Sequence, residues 1–412
     1  MVERNWAGNV EYRAAIVHRP TTIDEVRDVV ARSERIHVLG TRHSFNEIAD
    51  SEDLLSLESL PDDVEIDDAT GSVELNPAMT YGRLAPMLHA RGLALHNLAS
   101  LPHISLGGAI ATGTHGSGDH LANLATAVSA IDILRSDGDI VRLERGDDDF
   151  DGAVVGLGAL GAVLRVRVDV EPEYQIAQRV YEGLAWDELA ASFDDITAAG
   201  TSVSLFTTWG SHVDQVWVKQ RLPSKPSAET CFGARPATVE RHPIAGVSAE
   251  NCTSQLGVPG LWSDRLPHFK MGFTPSNSDE LQSELLLARG SALEAIEIVR
   301  RIADDMAPHL LVSEIRTVAA DTLWMSPQYR RDTVALHFTW RPHPADVTRL
   351  VIRLESALAA FDPRPHWGKF FTVGGVPLAQ RYPRHADFVD LVSRFDQRGA
   401  FRNPWLERNV LT

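Results

Sequence analysis

Glu314 and Arg316 stand two residues apart in one alternating stretch, and His337 and Thr339 stand two apart in another. In β-strands that spacing puts each pair on a single sheet face, so four polar groups can share one surface. Ile315, Leu336, Phe338 and Trp340 then fall on the opposite faces, where they can pack against helices. A solvated face holding a Glu–Arg ion pair would show the same pattern and be worth little. The balance shifts with Pro365-His-Trp-Gly-Lys369, an unusual loop in which lysine follows an aromatic residue and a glycine. Lysine, histidine, arginine and glutamate converging in a cleft would equip the chain for alcohol oxidation. A cation polarises the hydroxyl, and a base takes its proton as hydride leaves carbon.

A second group of residues suits the binding of a large anionic cofactor. Ser100-Leu-Pro-His-Ile-Ser-Leu-Gly-Gly-Ala-Ile-Ala-Thr-Gly-Thr-His-Gly-Ser-Gly118 is rich in glycine and small hydroxyl residues that leave backbone N–H groups accessible. Val38-Leu-Gly-Thr-Arg-His-Ser-Phe45 breaks an apolar strand at Gly40 into a short polar loop containing His43. Together they read as two halves of a flavin cradle. His43 is either an exposed loop histidine or a nucleophilic imidazole attached to a flavin ring methyl, which would anchor the cofactor and raise its potential. His103 and His115 read as turn-stabilising hydrogen-bonding residues, with a supporting place beside the cofactor open to His115. Gly156-Leu-Gly-Ala-Leu-Gly161 matches the dinucleotide fingerprint literally, but the residues after it alternate as a strand and do not open a helix. It reads as a tight turn, not as a nicotinamide site.

These groups need a scaffold, and the rest of the chain provides one. Ala14–Pro20, Arg35–Leu39 and Ser72–Leu75 read as strands. Thr22-Ile-Asp-Glu25 offers a capping box to a helix through Val26 and Val30, a further helix spans Thr80 to Ala90, and Gly92 sits where a helix should stop. Strand, charged turn, glycine turn and the alternating strand Val163–Val170 follow, up to Glu171-Pro172. Beyond this point the character changes. Strands are predicted at Ser202–Trp209, Gln215–Arg221, Leu310–Val318 and Thr333–Trp340, with a proline- and glycine-rich stretch from Pro223 to Pro267 between the second and third. A second capping box at Ser291-Ala-Leu-Glu294 would start a helix buried through Leu293, Ile296, Val299 and Ile302, and a similar helix runs through Val347, Val351, Leu354 and Leu358. The pattern is a sheet with helices on one face.

At 412 residues and 44% hydrophobic content the chain can fill two cores. Its net charge of −17 argues against nucleic acid and anionic membrane as partners. No apolar run reaches membrane-spanning length, and Met-Val-Glu-Arg-Asn-Trp lacks the pattern of a secretory signal, so a cytoplasmic protein is expected. Cys231 and Cys252 form neither a metal-ligand pattern nor a disulfide framework and read as inert core thiols. No metal is expected, because His103 and His115 lack the H-E-x-x-H context of a zinc hydrolase.

Ser100-Leu-Pro-His-Ile-Ser105, Ala111-Thr-Gly-Thr-His-Gly-Ser-Gly118, Glu314-Ile-Arg-Thr-Val318, His337-Phe-Thr-Trp340 and Pro365-His-Trp-Gly-Lys369 resemble the signatures of the vanillyl-alcohol-oxidase-type flavoproteins. The resemblance is nearest to the alditol (xylitol) oxidases of the sugar-1,4-lactone oxidase group, and it runs from Asn5-Trp-Ala-Gly-Asn9 to Phe401-Arg-Asn403. It implies an α+β fold: an FAD-binding domain, residues 1–172 completed by 365–412, and an inserted α/β substrate-binding cap, residues 173–364, on a large mainly antiparallel sheet. It also implies FAD attached through His43, held by Gly40, Thr41, Arg42, Ser44, Ser100, Ser105, Gly108, Thr112, Gly113, Thr114, His115, Gly116 and Val163. Ser105, Gln282, Glu314, Arg316, Thr339 and Lys369 would contact a polyol, with His337, Lys369 and Arg316 at the reacting carbinol. One departure is Arg42, which stands where the family often has a small residue; it could bend the loop or reach a cofactor phosphate.

The implied reaction is oxidation of a terminal hydroxyl of an acyclic polyol such as xylitol or sorbitol to the aldose, with oxygen reduced to hydrogen peroxide by a monomer. Alternatives stay open in an aldonolactone oxidase or dehydrogenase and, from another class, a flavin-free polyol-binding protein.

Overall fold

The computed structural model describes residues 3–223, 231–273 and 280–412. Met1, Val2 and residues 224–230 of the proline-rich stretch lie outside the described residues. The first strands, Ile16–His18, Asp53–Leu55 and Ile36–Val38, form a small parallel sheet in that order. The helix Ile23–Arg32 connects two of them and buries Val26, Val29 and Val30. Thr22 caps it by accepting from the Glu25 N–H, but the Glu25 carboxylate returns to the Thr21 N–H at 2.6 Å, so the box closes one residue early.

A five-stranded antiparallel sheet follows, in the order Val64–Asp67, Ser72–Leu75, Ala162–Asp169, Val128–Leu134, Ile140–Glu144. Burial alternates residue by residue along Ala162–Asp169, as its sequence predicts. The Gly156–Gly161 turn leads directly into this strand with no helix after it. Gly161 sits at φ +146°, and a Cβ there would lie 2.3 Å from the Leu134 carbonyl oxygen. Only glycine fits that crossing.

Among the described residues the largest sheet has nine strands, and its pairings are antiparallel. Its centre runs Gln175–Ala185, His212–Arg221, Ser202–Thr207, Leu310–Val318, Thr333–Trp340, Leu281–Ala288. One face carries Leu205, Ile315, Leu336, Phe338 and Trp340 and packs against the helices Trp186–Thr197, Ala292–Arg300 and Pro344–Ala357. The second capping box is not formed. Ser291 ends a short 3-10 turn at φ −97°, ψ 4°, away from the extended backbone that a cap needs, and its side chain makes no cap bond. Leu293, expected inside, is 36% exposed, while Ile296, Val299 and Ile302 are buried.

The chain's end returns to its beginning. Trp367, Leu378, Phe388, Leu391, Trp405 and Leu406 share one core with Val73, Leu84, Leu106, Ile131 and Val166, and Phe401 packs with Ile36 and Leu55. Cys231 and Cys252 are free and buried, which pushes their thiols up to about 11 and about 12. Among the described residues no helix is long and apolar enough to cross a membrane. Replacing Gly161 with Ala should destabilise the protein by about 1–3 kcal/mol, read as a lower urea midpoint, because it forces both a disfavoured φ and a backbone clash. An unchanged midpoint would contradict the close crossing.

Candidate active site

A cavity of about 1020 Å³ opens between the glycine-rich N-terminal segments and the polar face of the large sheet. Pockets for small ligands reach roughly this size only at their upper limit, so the space suits a large cofactor together with a substrate. Its two walls differ in kind.

The sheet wall is set by register. Glu284, His337 and Glu314 pair side by side across three adjacent strands, and Gln282 pairs with Thr339 one step along. Arg316 follows Glu314 on the same face. The 365–369 loop brings in a fourth charged group, Lys369. The His366 N–H donates to the Glu284 carbonyl at 3.1 Å and the Phe370 N–H to the Gln282 carbonyl at 2.8 Å. From the other side the Asn46 amide donates to the carbonyls of Trp367 (2.8 Å) and Lys369 (2.7 Å), while the Phe45 N–H donates to that of Gly368 (2.7 Å). Held between the His43 loop and the Leu281–Ala288 strand, Lys369 has little choice of direction.

Glu284 stands at the centre of the charges. Arg316 Nη2 donates to Oε1 at 2.6 Å, Lys369 Nζ donates to Oε2 at 2.6 Å, and His115 Nε2 lies 3.5 Å from Oε1. Burial by itself would raise the Glu284 carboxyl, but Lys369, Arg316 and His115 outweigh it and hold the group well below the usual 4.5. Glu314 is likewise held low by Arg316 and His268 against the effect of burial, with His268 Nε2 at 2.9 Å from its Oε1. Lys369 also donates to His337 Nδ1 at 2.8 Å, and His337 Nε2 lies 3.1 Å from Thr339 Oγ1. Burial first, then Lys369, hold His337 well below 6.5. It is therefore neutral at physiological pH, with its proton on Nε2 and its lone pair on Nδ1 facing the ammonium.

The opposite wall is built from the two glycine-rich segments that the sequence singled out as a cradle. The Ser105 N–H donates to Thr41 Oγ1 at 3.2 Å, which joins the two glycine-rich segments. A Cβ at Gly40 would lie 2.7 Å from Ser105 Oγ. His43 lies between Trp6, stacked at 5.1 Å, and His103, whose Nε2 is 2.7 Å from His43 Nε2. Burial, reinforced by His103, pushes His43 down to about 3. His103 thus bonds to His43, where a turn-stabilising bond was expected; His115 does make a local bond, from Nδ1 to the Gly116 carbonyl at 2.8 Å. Arg42 adopts φ +65°, so the loop does bend unusually there, and its guanidinium is paired with Glu3 at 2.5 Å. That pairing occupies the group suggested for a cofactor phosphate.

Of the residues singled out from sequence, the cavity wall includes His43, Gly40, Thr41, Arg42, Ser44, Ser100, Ser105, Gly108, Thr112, Thr114, His115 and Val163, and, opposite them, Gln282, Glu314, Arg316, His337, Thr339 and Lys369. Gly113 and Gly116 do not line it. Gly113 turns at φ +62° against Pro327, and a Cβ on Gly116 would strike Asn97 Oδ1 and the Leu98 carbonyl, so these glycines serve chain crossings. The Gly156–Gly161 turn borders the cavity without a helix. Sequence reasoning missed Glu284, Asn46, His268 and Lys219. Gln282-Ser-Glu284 obeys the two-apart rule used for Glu314 and Arg316, but Leu285-Leu-Leu287 after it hides the alternation.

A flavin fits these residues on features of the site itself. Ser105 Oγ is buried, belongs to a cavity-lining residue and makes no hydrogen bond, so a bound polar group would satisfy it. The three-residue cluster His115, Glu284 and His366 also has ligand atoms within 4.8 Å of one another, but the Arg316 and Lys369 cations on the same carboxylate oppose a metal ion.

Comparisons with known proteins identify the family. A family model described as "FAD binding domain" matches residues 14–144, and one described as "D-arabinono-1,4-lactone oxidase" matches residues 288–409. The chain is 49% identical over 411 residues to an alditol oxidase of Streptomyces sp. (strain IKD472 / FERM P-14339), spanning 98% of this chain and 97% of that one. It is 26% identical over 428 residues to the L-gulono-1,4-lactone dehydrogenase of Mycobacterium tuberculosis (strain ATCC 25618 / H37Rv), spanning 98% of each. Among solved structures, cholesterol oxidase from B. sterolicum matches with a TM-score of 0.79 at 14% identity over 98% of this chain and 96% of that one, which speaks to fold alone. The α+β flavoprotein architecture with a large antiparallel sheet, expected from the sequence, is borne out.

Glu284→Gln leaves Arg316 and Lys369 without their buried counter-ion and should cost about 3–5 kcal/mol in urea unfolding. His37 and His268, both lowered to about 4 chiefly by burial, bind protons more weakly folded than unfolded. Between pH 6.5 and about 4 the unfolded chain therefore takes up more protons, and stability should fall as pH is lowered through that window. Glu284 and Glu314, held below 4.5, add a further loss below that value. A flat stability profile from pH 7 to 4 would contradict these burials.

Proposed function

The chain belongs to the alditol oxidase family of FAD-dependent oxidoreductases within the sugar-lactone oxidase group, and from that premise we propose that it oxidises the terminal hydroxyl of an acyclic polyol such as xylitol or sorbitol to the aldose. The observation that supports this most is the Glu284–Lys369–His337 contact set, which pairs a buried cation with a neutral imidazole on the wall facing the cradle. FAD, when bound, would supply the two-electron acceptor for hydride, with oxygen as the final acceptor that yields hydrogen peroxide. Gly40, Thr41, Ser44, Ser105, Thr114 and His115 would hold it, with His43 as the covalent tether.

The chain's own residues would work as follows. A carbinol hydroxyl that takes the place of the direct Lys369 Nζ–His337 Nδ1 hydrogen bond would accept from the ammonium and donate to the freed Nδ1 lone pair. Lys369, anchored by Glu284, stabilises the negative charge that grows on oxygen, and His337 takes the proton at Nδ1. Arg316 Nε, Glu314, Gln282, Ser105 and Thr339 offer donors and acceptors to the remaining hydroxyls. A hydroxyl-rich open chain suits so many polar groups better than a lactone ring with fewer free hydroxyls. By the same reading residues 1–172 with 365–412 form the FAD domain, residues 173–364 form the cap, and the protein works as a cytoplasmic monomer.

Lys369→Met should lower kcat/KM for xylitol by about 10²–10³-fold while flavin absorbance is retained. Steady-state rates on xylitol against gulono-1,4-lactone, with peroxide measured in air, test the substrate and acceptor together; faster turnover of the lactone would overturn the polyol reading. Acid precipitation should leave yellow colour in the wild-type pellet and none in that of His43→Ala.

A further inference from the structure

Behind the substrate wall lies a buried lysine that the proposed reaction does not use. Lys219 is 1% exposed and has no carboxylate partner within hydrogen-bonding reach among the described residues. Its Nζ donates to the carbonyls of Leu266 and Pro267, the latter at 3.1 Å, and to His268 Nδ1 at 3.1 Å. His268 in turn sets its Nε2 at 2.9 Å from Glu314 Oε1. The imidazole is fixed from every side. Phe206 and Trp217 meet its ring edge-on at 5.3 and 5.4 Å, and its backbone N–H donates to the Ser100 carbonyl of the cradle segment at 3.2 Å.

A buried ammonium is costly even when hydrogen-bonded, and an apolar side chain of similar size would avoid that cost. Here the directions of the bonds supply the reason for a lysine. An amine N–H donating to Nδ1 leaves that nitrogen only the acceptor role, so the single proton of neutral His268 must sit on Nε2. That proton faces Glu314 Oε1 and satisfies it. Glu314 Oε2 is left with the longer 3.6 Å approach of Arg316 Nε and keeps its acceptor capacity for a ligand. Without Lys219 the ring could put its proton on Nδ1 and present a lone pair to a carboxylate, which would swing Glu314 away.

We propose that Lys219 and His268 are positioning residues for polyol recognition: Lys219 fixes the His268 tautomer, and His268 holds Glu314 with one oxygen free to accept a substrate hydroxyl distant from the reacting carbon. This rests on the reading of Glu314 as a polyol contact. Burial lowers Lys219 to about 7, partly offset by Glu314, but an amine donates in either charge state, so the arrangement does not depend on that titration.

The test compares xylitol with 1,2-propanediol, which has no distal hydroxyls, on purified flavin-loaded protein. Lys219→Met and His268→Phe should raise KM for xylitol about tenfold or more with kcat changed less than threefold, so that the kcat/KM preference for xylitol over the diol drops about tenfold. His268→Gln, which keeps a donor near the Nε2 position, should recover most of the preference, whereas the shorter His268→Asn should not. Should the Phe or Met variant fail to fold, as judged by circular dichroism and flavin absorbance, the Gln-against-Asn comparison decides. Equal losses on both substrates, or no difference between Gln and Asn, overturn the proposal. If wild-type protein oxidises no polyol at all, the functional reading fails first, and that result is distinct from wild-type activity with indifferent variants.

Discussion

The site depends on one buried carboxylate. Glu284 is 1% exposed and has a cation on each oxygen, so neither Arg316 nor Lys369 can leave without exposing an uncompensated charge in a place that water hardly reaches. That constraint fixes the Lys369 ammonium beside His337, where it adds to burial in keeping the imidazole neutral and sets its tautomer. Each protonation state thus follows from the one before it. Charge, proton position and geometry are settled together by a residue that sits behind the groups expected to meet substrate.

The two walls of the cavity are tied by hydrogen bonds to backbone carbonyls at several places. Asn46 and Phe45 grip the 367–369 carbonyls, the His268 N–H reaches Ser100, and the Gly118 N–H donates to the Thr317 carbonyl. Because these ties join the glycine-rich segments directly to the strands and loop that present charge, the gap between the walls is held by main chain and one short, buried amide side chain, Asn46. Long side chains could not hold it with the same rigidity, since each would have to lose rotamer freedom. The neutral histidines follow from this closure, because the same packing that fixes the gap removes the water that would stabilise an imidazolium.

The amino-acid sequence by itself determined much of this protein: the alternation that puts Glu314 with Arg316 and His337 with Thr339, the strand after Gly161 that rules out a dinucleotide helix, and the cradle glycines. These are local properties, governed by side-chain period and backbone sterics over a few residues, and local physics is legible in a string. The tertiary structure decided the rest. It placed Glu284 against Lys369 across 85 residues and Lys219 against His268 across 49, turned Arg42 toward Glu3, and moved Gly113 and Gly116 from the cavity to chain crossings. Such contacts depend on which strands become neighbours and on how a distant loop is pinned, and the antiparallel order of the large sheet is not its order in the chain. A buried charge finds its partner only when the whole sheet has closed around it, so no spacing along the sequence could have announced the pair.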